Sequence, residues 1–311
     1  MVCGVATRAF STLEKQKIFV TFLYELDRSS WSKFQRSFKD YLKKFEALLQ
    51  ALLYDLKSEI VVFGDDPRVE DLCSKFPRCF YNSKPLKSWN VYTTFSRIQK
   101  NLDSKRGRFK VPEFFSEDYI CLQLIKFEAV QLVSKKEHDN IIWIDAGLHS
   151  HLHPVDWTIK WKSPDKIHAL QIGPMPWWER WVLETPTVCI GGGCWGGSQR
   201  AMSLLCTRVL NLHEECLQKG LVGNDQQYLS IVFKRYPQEF LVKRSFTDFG
   251  IYSSQNFNHV VDSVLNESYP ENVRNYFLLF LPFLLLGSFL LLLFFFSSPP
   301  NSAFAFSKYL L

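Results

Sequence analysis

Residues Asn140–Pro154 read NIIWIDAGLHSHLHP. The uncharged stretch Asn140–Ile144 has the length and β-branched content of a buried strand. It ends on a single carboxylate, Asp145, followed by Gly147 and by His149, His151 and His153 at alternate positions. An aspartate at the end of a buried strand serves either as a turn or cap residue or as a ligand-facing group. Its neighbours along the chain decide between the two.

Upstream, Ile18–Leu26 reads as a first buried strand. Trp31–Tyr54 places Phe34, Phe38, Tyr41, Leu42, Phe45, Leu48, Leu49 and Leu52 at helical spacing on one apolar face. Glu59–Phe63 is a short strand halted by Gly64-Asp65-Asp66-Pro67, Val69–Lys75 a short helix and Asp118–Lys135 an amphipathic helix. Downstream, Asp145–Pro186 reads as loop-rich, Thr187–Ile190 as a strand, and Gln199–Lys219 and Asp225–Lys234 as helices. Strands alternating with helices predict an α/β fold with a mainly parallel sheet flanked by helices. In such sheets ligands sit outside the carboxyl ends of the strands, where Asp27-Arg28, Asp145 and the glycines after Ile190 all fall.

Composition narrows the classes. The chain has 311 residues, 47% of them hydrophobic and 16% aromatic, enough for a sizeable core. A formal net charge of +6 with no Lys/Arg block excludes a dedicated nucleic-acid binder. Eight cysteines without a C-x-x-C pair disfavour a zinc ribbon or a thioredoxin-like site, and are compatible with either disulfides or reduced core thiols.

Tyr276–Phe296 (YFLLFLPFLLLGSFLLLLFFF) carries no charge. As a helix its 21 residues span about 31 Å, the thickness of a bilayer's hydrocarbon core. Met1–Lys17 contains Arg8, Glu14, Lys15 and Lys17 and no apolar core of a signal peptide. The expected plan is a polar tail (1–17), an α/β domain (18–262), a juxtamembrane linker (263–275), a single C-terminal transmembrane helix (276–296) and a short tail (297–311). Organelle and side stay open.

Two further clusters carry chemistry. Gly191–Ser198 reads GGGCWGGS, between a strand and a helix. Glycines there permit close backbone approach or positive φ beside the free N–H groups of a helix start. No G-K-[ST] follows and G-x-G-x-x-G is not matched, so neither a Walker A loop nor a dinucleotide fingerprint is present. Asp225 and Gln226 open the next helix, where capping alone favours a carboxylate. The alternate histidines would share one face of an extended strand and could converge on zinc, but a loop ending in proline fixes no such geometry.

The ordered set Thr21-Phe-Leu-Tyr-Glu-Leu-Asp-Arg, Arg36-Ser before Tyr41 and Phe45, Tyr119 with Lys126, Trp143-Ile-Asp-Ala-Gly, Gly192-Gly-Cys-Trp-Gly-Gly-Ser and Asp225-Gln226 resembles the HtrL/YibB family, also described as WlaTC/HtrL glycosyltransferases. The resemblance covers about Ile18–Val242. It implies a GT-A-like nucleotide-diphospho-sugar transferase fold, in which a D-x-D-type motif after a sheet strand holds a divalent cation on the donor diphosphate. The matching triplet here is Asp145-Ala146-Gly147, with glycine in place of the second carboxylate.

The chemistry expected of these residues is glycosyl transfer. Mn²⁺ or Mg²⁺, hard cations suited to a departing diphosphate, would be held by Asp145, with His149 as a neighbour. Arg28 or Lys126 would neutralise phosphate charge. Gly192, Gly193, Gly196, Gly197 and Gln226 would line the donor site, with Trp195 as a stacking platform. Asp225 would be the base or acceptor orienter. Trp157, Trp161, Trp177, Trp178 and Trp181 would line an acceptor groove or pack in the core. The expected partners are a nucleotide sugar, a glycan, lipid or protein acceptor, and the membrane. The alternatives are a non-catalytic nucleotide- or carbohydrate-binding protein on the same fold, and a metal-dependent hydrolase using the histidines.

Overall fold

A computed structural model describes residues 17–26, 37–54, 58–103, 109, 112–136, 138–147, 157–186, 189–246, 261, 264–268 and 272–273. The chain divides into two compact units, Met1–Asn272 and Val273–Leu311. Within the first, elements run β1 (Lys17–Phe22), α1 (Phe38–Tyr54), β2 (Ser58–Gly64), α2 (Pro67–Ser74), β3 (Cys79–Ser83), α3 (Phe95–Asp103), α4 (Glu117–Val133), β4 (Asn140–Ile144), β5 (Ile167–Gln171), α5 (Glu179–Glu184), β6 (Ile190–Ser198), α6 (Gln199–Gln218), α7 (Asp225–Arg235) and β7 (Phe240–Phe246).

The strand order is β3-β2-β1-β4-β6-β5-β7. The pairs β3–β2, β2–β1, β1–β4 and β5–β7 are parallel, whereas β6 runs antiparallel to both β4 and β5. The expected α/β fold with a mainly parallel sheet is therefore present. The exception is β6: Gly191–Ser198 is not a loop after a strand but lies within the strand itself, paired from Ile144↔Cys194 to Asn140↔Ser198. The loop-rich stretch Asp145–Pro186 also holds β5 and α5.

Period-two alternation explains the two-sided core. On β4, Ile141 and Trp143 face one layer with α4, α6 and α7, and Ile142 and Ile144 face the other with α1 and α2. Ile18, Val20 and Phe22 of β1 divide in the same way from Phe19 and from Leu23 just beyond the strand. A strand covered on both faces needs apolar residues at every position, which is why NIIWI is legible in sequence. Helix α4 is not amphipathic as expected; residues on all its sides, from Ile120 to Val130, are buried, as befits a helix enclosed by α3, α6, α7 and the sheet.

Val261, Val264 and Leu265 are fully buried in the second layer, and the Trp161 indole donates to the Val264 carbonyl at 2.6 Å. The domain thus continues past the expected boundary at 262, and residues 264–268 are packed structure instead of a linker. Among the described residues no helix is long and apolar enough to cross a membrane. The expected span Tyr276–Phe296 lies outside the described residues, as do Arg28, His149, His151 and His153.

Candidate functional site

Asp145 follows the last residue of β4, and its backbone N–H donates to the Gly193 carbonyl at 2.8 Å, extending the β4–β6 pairing by one residue. Its carboxylate is held from two directions. Trp143 Nε1 donates to Oδ1 at 2.8 Å, and Lys126 Nζ lies 2.9 Å from Oδ1 and 3.3 Å from Oδ2. Trp143 is itself fixed by a stack with Trp195 (centroids 6.1 Å apart, 23° between planes), and Trp195 stacks on Phe127 at 5.3 Å.

Lys126 reaches this point from the middle of α4. Its side chain is 3% exposed, and Nζ donates to Asp225 Oδ2 at 2.6 Å and to the Gly192 carbonyl at 3.4 Å. Burial alone would lower its pKa, but the carboxylates of Asp145 and Asp225 more than offset this and hold the ammonium above its ordinary value. Burial pushes Asp225 up from the ordinary carboxylate range, the Lys126 charge opposing it and the Asp145 charge adding to it. One ammonium thus bridges a buried carboxylate and a half-exposed one, the Asp145 side chain being 36% exposed.

The start of α7 is built by a capping box. The Asn224 side chain accepts from the Gln227 N–H and the Gln227 side chain accepts from the Asn224 N–H, both at 2.9 Å. The cap is therefore Asn224. Asp225, freed from capping, turns inward to Lys126. Gly192 is required opposite it: a Cβ there would lie 2.2 Å from Asp225 Oδ2 and 2.9 Å from Gln226 Cγ. The glycines of β6 therefore permit close approach and do not supply positive φ, which among the described glycines occurs at Gly220 alone.

The structure thus brings Lys126, Asp145, Gly192, Gly193, Asp225 and Gln226 together. It places others elsewhere. Trp195 is fully buried, and its indole N–H donates to the Gly192 carbonyl at 3.2 Å, so it supports the site from behind and offers no stacking face to a ligand. Gly196 backs onto the Ile141 carbonyl and the Trp161 ring, and Gly197 onto the Lys166 carbonyl, so both serve sheet packing. Lys126 is neither a surface charge nor free to meet a phosphate. Trp157 is buried and Trp161 stacks on His168 at 4.4 Å, which removes both from an acceptor groove.

Two buried groups escaped the sequence reading. Glu128, one half-turn beyond Lys126, accepts from the backbone N–H groups of Asn90 (2.9 Å) and Val91 (2.7 Å) and fixes the segment before α3. His213 bridges Thr94 Oγ1 (3.2 Å) and Tyr228 Oη (3.1 Å). Neither has a local motif, because both partners lie far away in sequence.

The donor set was weighed against a divalent cation. The Lys126 ammonium already occupies the space between the two carboxylates, and a Cβ at Gly147 would lie 2.9 Å from the Tyr41 ring, so a side chain there would require that ring to shift. Among the described residues no group of three His, Cys, Asp or Glu side chains is placed to hold a metal. Of the two residues expected to hold Mn²⁺ or Mg²⁺, Asp145 is therefore engaged by Lys126, and His149 lies outside the described residues.

No protein-family model matches the chain, and no curated protein matches it.

Proposed function

We propose that this chain is a glycosyltransferase, moving a sugar from a nucleotide-sugar donor to a hydroxyl-bearing acceptor on a GT-A-like fold. One observation carries the reading. Lys126, Asp145 and Asp225, separated by as many as 99 residues in the chain, converge where β4 ends, beside Gly192 of the antiparallel strand. A buried ammonium shared by a buried and a solvent-facing carboxylate, at the carboxyl edge of an α/β sheet where ligands sit, supports a functional site.

In the transfer, the bond between the anomeric carbon and the diphosphate oxygen breaks. The acceptor oxygen bonds to that carbon, and its proton passes to a base. Asp145, the half-exposed member, is the group placed to meet a sugar or acceptor hydroxyl. Lys126 and Trp143 Nε1 fix its orientation. Asp225, 3% exposed and bonded to Lys126, acts through that ammonium as a positioning residue. This reassigns the base expected at Asp225. No step here runs through a metal. The apolar stretch Tyr276–Phe296 supports attachment of the chain to a membrane.

The engagement of both carboxylates by Lys126 also favours a second reading, a nucleotide-sugar-binding protein without turnover. A thermal-shift titration of the full chain with UDP- and GDP-sugars, in EDTA and in Mn²⁺, tests both. A ligand at 100 times its dissociation constant stabilises the native state by about 2.7 kcal/mol, a shift of several degrees for a domain of this size. A shift with release of free nucleoside diphosphate upon adding acceptor supports the transferase, and a shift without release the binding protein. No shift with any donor sinks both.

A further inference from the structure

The segment between β5 and α5 reads Gly173-Pro-Met-Pro-Trp-Trp, and α5 begins Glu179-Arg-Trp. Trp177, Trp178 and Trp181 are 90%, 73% and 53% exposed, more than any other large apolar side chain among the described residues. Trp177 and Trp178 lie in the segment that leads into α5, Trp178 being its N-cap, and Trp181 lies in its first turn, so the three exposed indoles fall within five consecutive residues. Val182 and Leu183 of the same helix are nearly fully buried and anchor it to the core. An exposed aromatic cluster of this size marks a contact surface.

The cluster is anchored to the candidate site. Gln227, two residues beyond Asp225, donates to the carbonyls of Val182 (2.5 Å) and Thr185 (2.8 Å). From the other end of α7, Lys234 donates to the carbonyls of Pro176 and Trp177, and Arg235 pairs with Glu179 at 2.6 Å. The indoles are thereby held on a frame shared with Asp225.

Charge narrows the occupant. The three cations of this frame are matched by nearby acids or carbonyls, which leaves no net positive patch: Arg180 pairs with Glu184 at the surface (2.8 Å), Arg235 with Glu179 and Glu215, and Lys234 with carbonyls. Anionic lipid and nucleic acid are recognised by uncommitted basic groups. A neutral pyranose chain needs none, since its C–H faces lie flat on aromatic rings and its hydroxyls meet the charged rim. We infer that Trp177, Trp178 and Trp181 form a binding platform for a neutral saccharide chain; that this chain is the acceptor rests on the transferase reading above.

The full chain, without donor, is titrated with maltotetraose, cellotetraose and chitotetraose at up to millimolar concentration, read by intrinsic fluorescence and saturation-transfer NMR. At least one saccharide is expected to give a saturable response that Trp177→Ala/Trp178→Ala weakens about tenfold or more, the loss typical of removing an aromatic anchor. The donor-induced thermal shift stays as in the wild type. No response to any of the three, or an undiminished response in the double variant, overturns the platform. Sedimentation with neutral phosphatidylcholine vesicles that depends on the same tryptophans, without saccharide binding, also overturns it in favour of a membrane contact. Saccharide binding needs neither donor nor turnover, so a failed donor shift sinks the transferase reading and leaves the platform standing.

Discussion

Replacing Lys126 with methionine keeps most of the side-chain volume and removes the charge that, among the described residues, compensates Asp225 within hydrogen-bond reach. Deleting one partner of a buried ion pair typically costs about 3–5 kcal/mol, because the other charge is left uncompensated in a low dielectric. For a domain of this size that corresponds to a fall in Tm of roughly 6–20 °C. The loss depends on pH with a definite sign. Burial already raises the Asp225 pKa in the folded chain, and without Lys126 it rises further. A carboxyl whose folded pKa is raised contributes stability that is fully present below its unfolded value, about 3.9, and lost as pH rises through the folded value. The variant's deficit is therefore smaller at pH 5 than at pH 8. Urea denaturation at both pH values measures it. The double variant Lys126→Met/Asp225→Leu should recover most of the loss, since no buried charge then lacks a partner. A single variant within about 1 kcal/mol of wild type at pH 8 would refute the buried-pair reasoning, as would a double variant less stable than the single.

Asp145→Asn should cost at most about 1 kcal/mol, because the side chain is partly solvated and Lys126 keeps Asp225; donor-induced stabilisation should vanish, and an unchanged thermal shift would remove Asp145 from the site. Gly192→Ala forces its Cβ against Asp225 Oδ2 and should destabilise the chain by about 1–3 kcal/mol while breaking the Lys126–Asp225 contact, measurable as lost donor binding in protein that still folds. His213 is held down to about 4 by burial. Thr94 Oγ1 donates to the Val91 carbonyl and Tyr228 Oη accepts from the Gly223 N–H, so a consistent network has neutral imidazole donating from Nε2 and accepting at Nδ1, with no acceptor for a second proton. With its folded pKa depressed, stability is present above pH 6.5 and falls by about 3 kcal/mol as pH drops towards 4. In His213→Phe that part of the slope should disappear, and an unaltered acid limb in denaturation profiles would exclude His213 as its origin.

The strand Asn140–Ile144, the helix starts at Gln199 and Asp225 and the α/β class are determined by the sequence alone, because each rests on local spacing of apolar residues, and caps and turns act within a few positions. Asp145, Lys126 and Asp225 also stand out there, through the resemblance of the ordered set, without any sign that they meet. Their relationship is decided only by the tertiary structure. An antiparallel β6 inside a mainly parallel sheet sets Gly192 against Asp225, and the enclosure of α4 on every side drives Lys126 to a pair of carboxylates instead of solvent. Trp195 shows the same division: its glycine-rich surroundings read as a connection after a strand, and only the pairing with β4 shows that it lies within β6 with its indole in the core. Strand neighbours and helix enclosure are long-range choices, and a lysine or tryptophan carries no local mark of the dielectric it will occupy.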